Sequence, residues 1–136
     1  MYLGMFLIVQ AIPTYAKVPS SMIQTSNYVP IAPLWDNVSG LTVDLSSSNG
    51  KAVCFGRVNA LSGTTSIKAT FTLERKNGST WTHEKSWSQE STTSLLTFSD
   101  SNHSITAGNT YRLTLTAVVT RNGKAETVST STESKL

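Results

Sequence analysis

From Leu41 onward, apolar and polar residues alternate in short runs. Leu41, Val43 and Leu45 share one side, with Thr42 and Asp44 on the other. Ala52, Cys54, Gly56 and Val58 repeat the pattern, as do Ile67, Ala69, Phe71 and Leu73 against Lys68, Thr70, Thr72 and Glu74. Thr80–Ser88 and Leu95–Ser99 follow. Tyr111, Leu113, Leu115 and Ala117 then oppose Arg112, Thr114 and Thr116, and Lys124–Thr132 completes the set. A two-residue period marks strands buried on one face. No run of useful length carries a helical period.

Turn signals separate the runs. Asn49-Gly50, Asn77-Gly78 and Asn122-Gly123 each supply the two positive-φ residues of a type I′ hairpin. About seven short strands with turns every 8 to 12 residues or so predict an all-β domain. The expected fold is an immunoglobulin/fibronectin-III-like sandwich of antiparallel strands over 41–132, with a tail at 133–136. Tyr111 opens the sixth run just after Gly108-Asn109-Thr110, the placement of a tyrosine corner whose phenol bonds to upstream backbone. Cys54 and Leu113 stand where such domains carry their inter-sheet disulfide, so an apolar pair is expected there.

Composition supports the sheet. Ser and Thr make 40 of 136 residues, and charged residues only 14%. The branched Cβ of Thr suits a pleated surface. The single cysteine excludes an intramolecular disulfide, so the domain rests on its packed core. The net charge of +3 comes from scattered residues such as Lys51, Arg57, Lys68 and Lys124, with Arg75-Lys76 beside a turn. A nucleic-acid binder would cluster them into a stripe, so no nucleic-acid partner is expected.

The N-terminal stretch has another character. Tyr2 to Ile12 is an apolar run too short to span a bilayer, followed by Pro13 and Ala16. It reads as a signal peptide over 1–16, with cleavage after Ala16, although no Lys or Arg precedes the run. A lead-in with Pro19, Pro30 and Pro33 then occupies 17–40. The expected localisation is secreted or envelope-associated, with no membrane span after signal removal. The Ser134-Lys135-Leu136 ending, a peroxisomal address in another context, conflicts with export and is read as chance.

Pro33-Leu-Trp-Asp-Asn-Val38 and Asn49-Gly-Lys-Ala-Val-Cys-Phe-Gly-Arg-Val58 resemble segments of small exported proteins of clostridia-like Firmicutes. So do Thr72–Trp81, Lys85–Ser88 and Gly108–Arg112. That group is a domain of unknown function. The resemblance implies export and a β-sandwich and brings no catalytic residues with it. Glu84 departs from it, standing where an apolar residue is expected, and leaves open which face of the Trp81–Trp87 strand is buried.

The remaining chemistry is sparse. His83 and Glu84 are sequence neighbours and point to opposite faces of a regular strand, so a dyad there would need a bulge. Asp100, Ser101 and His103 lie close in sequence without a nucleophile elbow, and a solvated loop is expected. Cys54 alternates with apolar residues and reads as a buried, inert thiol. Asp36, Asp44, Asp100 and Glu126 lack calcium-loop spacing, so neither metal nor cofactor is expected. Asn37, Asn77 and Asn102 each begin an Asn-X-Ser acceptor pattern, which a Ser-rich chain yields by chance. The best binding feature is the strip Trp81, His83, Lys85 and Trp87, which unbroken alternation places on one face.

These features predict a non-enzymatic exported module for extracellular or envelope interaction, with a protein or glycan partner. Two rivals stand beside it. A carbohydrate-binding module needs exposed Trp81 and Trp87. An enzyme or enzyme inhibitor needs a loop-built cleft with convergent polar groups.

Overall fold

The computed structural model describes residues 35–136. The expected signal peptide at 1–16 and most of the 17–40 lead-in lie outside them. Seven antiparallel strands follow in order: β1 Val38–Ser48, β2 Lys51–Ala60, β3 Thr64–Asn77, β4 Thr80–Ser91, β5 Leu95–Asp100, β6 Thr110–Arg121 and β7 Lys124–Lys135. They form two sheets, β1-β2-β5 and β4-β3-β6-β7. In the constant-type immunoglobulin partition the fourth strand joins the first sheet. Here β4 pairs with β3 instead, giving the three-plus-four split of the fibronectin-III-like form.

The alternating residues make the core. Ala52, Cys54 and Val58 from one sheet face Ile67, Phe71, Leu73, Leu113, Leu115 and Val119 from the other, all fully buried. Each large side chain so buried contributes about 1.5–3 kcal/mol. Cys54 and Leu113 both lie on these inner faces with no exposure, as the apolar substitute for a disulfide requires. Gly56 also faces inward. A Cβ added there would land in the Phe71 ring. Phe71 in turn stacks on Phe98 of β5, with centroids 4.2 Å apart and planes within 17°.

Two Asn-Gly turns take the expected form. Asn49 and Gly50 have φ of 54° and 75°, and Asn122 and Gly123 of 52° and 79°. The third does not. Asn77 pairs with Thr80 as the last residue of β3, so the loop is Gly78-Ser79. Only Gly78 there has positive φ, at 66°, which is the type II′ arrangement with glycine first.

The sandwich is longer than its apolar pattern. Asn37 is buried, and its amide donates to Val119 O at 2.8 Å and Lys124 O at 3.0 Å. Glu126 accepts the backbone N–H of both Asp36 and Asn37. These polar bonds anchor β1 at Val38, earlier than Leu41. At the other end β7 stays in register with β6 to Thr110↔Lys135, so 133–135 is strand rather than tail. Thr, Ser and Glu carry that stretch, and the apolar signal fades while the ladder continues.

The tyrosine corner is present. Tyr111 is buried, and its phenol oxygen accepts the Thr106 N–H at 3.0 Å.

Candidate functional site

The site is built on β4, an edge strand of the larger sheet. Its pairing with β3 is interrupted once. Glu74 faces His83 and Leu73 faces Lys85, so Glu84 is an extra residue without a partner, a β-bulge. The bulge shifts the phase of alternation. Lys85 and Trp87 fall opposite Leu73 and Phe71, on the inner face. Trp81 and His83 fall opposite Lys76 and Glu74, on the outer face. The expectation that Trp81, His83, Lys85 and Trp87 share one face is therefore wrong. The count of two holds on each side of Glu84 but not across it.

On the outer face, Trp81 lies under Arg112, whose guanidinium carbon is 4.2 Å from the ring centroid. Lys76 flanks the same ring at 5.8 Å. Arg112 also donates to Glu74 Oε1 from Nε at 2.9 Å and from an Nη at 2.7 Å. His83 Nε2 lies 2.8 Å from Ser86 Oγ, a pair that sequence spacing did not reveal. This exposed pair stands on the outer sheet face, away from the residues that line the cleft described below.

On the inner side, β4 runs beside β5 where the two sheets meet. Trp87 is half-buried there, tilted at 51° against Phe98 with centroids 5.3 Å apart. Glu84 Oε2 accepts from Arg75 Nε at 3.1 Å, and Glu84 Oε1 pairs with His103 Nε2 at 2.9 Å. The bond to His103 holds the Glu84 carboxyl below its usual range, and Arg75 acts in the same direction, while burial works against both. So Glu84, without an apolar setting, has two partners.

His103 is not on a free solvated loop. Its carbonyl accepts the Ala52 N–H at 2.9 Å, and the Ile105 N–H reaches Gly50 O at 3.0 Å. Asp100 accepts the Asn102 N–H at 3.1 Å, which shapes the start of the loop. Between β4 and this loop lies a cleft of about 150 Å³ lined by Lys85, Trp87, Asp100, Asn102 and His103. Two of the four expected strip residues thus enter the cleft, and Trp81 and His83 do not. Asp100 joins from the end of β5, and Asn102 and His103 from the loop after it. Their one visible signal was the Asp100–His103 cluster, and nothing local places that loop against β4.

Cys54 lies behind this region, opposite Asp100 in the β2–β5 ladder. Burial, with the Asp100 charge adding to it, pushes its thiol up to about 11. Among the described residues no group of three His, Cys, Asp or Glu side chains gathers to hold a metal ion. Asn37 of the first acceptor pattern is buried and bonded by its amide. No helix of the described residues is long and apolar enough to cross a membrane.

No protein-family model matches the chain, and no curated protein matches it.

Proposed function

We propose that this sandwich is a non-enzymatic exported module that docks on an extracellular or cell-envelope partner through the β4–β5 cleft. The observation that carries the reading is Trp87. It is a large, half-buried aromatic on an edge strand, held against Phe98 and ringed by Lys85, Asp100 and Asn102. Rigid aromatics beside polar groups are the usual anchors of recognition surfaces. Export rests on the apolar run Tyr2–Ile12 and on the resemblance to small exported proteins. Binding is favoured over catalysis because the lining residues beside His103 are Lys85, Trp87, Asp100 and Asn102, with no serine, threonine or cysteine among them, while the other histidine pairs with Ser86 on the opposite face.

The test is co-sedimentation of the full chain with envelope preparations. Trp87→Ala and Lys85→Glu should release it to the supernatant, while Trp81→Ala on the other face should not. Binding that survives both cleft substitutions refutes the docking site. Treating the envelope with periodate or with protease separates a glycan partner from a protein one.

A further inference from the structure

Resting on the reading of the cleft as the docking site, we propose that it is a subsite for one neutral pyranose ring of a glycan. Size comes first. At about 150 Å³ the cleft is well below the range of pockets for drug-sized ligands and suits a single small ring. Shape and chemistry follow. Trp87 lies in the wall with Phe98 braced against it, so its indole is fixed before any ligand arrives. The electron-rich face of an indole attracts the polarised C–H groups of a sugar ring.

The rim is matched to hydroxyls. Asp100 offers carboxylate acceptors, Lys85 offers donors, and the Asn102 amide offers both. A sugar hydroxyl is itself donor and acceptor, so adjacent hydroxyls can satisfy all three. The charges favour a neutral ligand. The lining holds one carboxylate, Asp100, and one ammonium, Lys85, so neither an anion nor a cation meets a surplus of opposite charge there. Preorganisation completes the argument: the loop carrying His103 is pinned to the β1–β2 hairpin, and His103 is held by Glu84, so little ordering remains to oppose a weak ligand.

The experiment is a titration of the full chain and its variants followed by saturation-transfer NMR on the ligand, with tryptophan fluorescence and the indole N–H signal as added readouts wherever Trp87 is present. The probes are the methyl pyranosides of glucose, galactose, mannose and N-acetylglucosamine, with methyl glucuronide and diglycine as charged comparisons. At least one neutral pyranoside should shift the Trp87 signal saturably, and a tetrasaccharide of the same sugar should bind at least as tightly. Trp87→Ala should weaken that binding by roughly tenfold or more, and Asn102→Ala by roughly fivefold, with Trp81→Ala within about twofold. Trp87→Phe keeps an aromatic plane and should retain binding, which guards against a folding defect in the alanine variant. No saturable shift from any neutral pyranoside overturns the inference. If glucuronide or diglycine alone shifts the Trp87 signal, the ligand class is wrong and the cleft remains a docking site. Envelope binding that persists in both Trp87→Ala and Lys85→Glu refutes the docking site itself.

Discussion

Phe71 occupies the space above Gly56 that a side chain would otherwise fill. The ring comes from one sheet and the glycine from the other, so the contact sets how closely the sheets approach at that point. Gly56→Ala forces the ring aside and, through Phe71, disturbs its stacking on Phe98. The expected cost is about 1–3 kcal/mol, typical of an overpacked core. Denaturant unfolding measures it. Combining Gly56→Ala with Phe71→Leu should cost less than the two single changes added together, because they share one space. Strict additivity would show that the ring does not meet the new methyl.

The tyrosine corner gives a second expectation. Tyr111→Phe keeps the buried ring and removes the acceptor for the Thr106 N–H. The loss should be about 1 kcal/mol, the net worth of one such bond. A thermal melt of unchanged midpoint would mean that water replaces the phenol at no cost.

Cys54 should be silent in the folded protein. Its thiol is buried, and burial, then the neighbouring Asp100 charge, raises its pKa to about 11, so little thiolate exists near neutral pH. Iodoacetamide should label it slowly in the native state and at the rate of an ordinary thiol in denaturant. Cys54→Ser should destabilise by roughly 1–3 kcal/mol, because the hydroxyl is buried among apolar groups. Rapid native labelling would contradict the core placement.

Glu84 makes stability depend on acid. Its folded pKa lies below the ordinary value, through the His103 bond first and Arg75 after it. The stability this contributes is complete above the ordinary carboxylate pKa, and it is lost as pH falls through the lower, folded value. Wild type should therefore melt above Glu84→Gln at neutral pH, and the gap should close as pH falls below the ordinary carboxylate range. A gap that stays constant with pH would assign the difference to packing rather than to charge.

Strand content was legible because Ile67–Leu73 and Tyr111–Ala117 alternate with large apolar residues on one side only. The corner was legible for the same reason, since Tyr111 opens such a run after a turn. Asn77-Gly78 misled because one dipeptide serves two turn types, and pairing of Asn77 with Thr80 decides between them. The site was half legible. Lys85 and Trp87 belong to it, but the phase change at Glu84 removes Trp81 and His83. An extra residue leaves no mark in an alternation that has no apolar residues to keep count. The contribution of Asp100, Asn102 and His103 depends on β4 joining β3, which sets it beside β5 across the sandwich. No local pattern carries that choice.

The bulge at Glu84 also separates two things that sequence change can act on. Deleting Glu84 would let the ladder run unbroken from Glu74↔His83 to Leu73↔Lys85, with each neighbouring side chain on the face it already holds. The sheet would close over the gap, and only the reach to Arg75 and His103 would go. Insertion or loss of one residue here thus tunes how firmly the cleft's loop is held while sparing the framework. Elsewhere in β4 the same one-residue change would turn the remainder of the strand inside out. Position 84 is the place where this chain can vary the edge that lines its cleft and keep its fold.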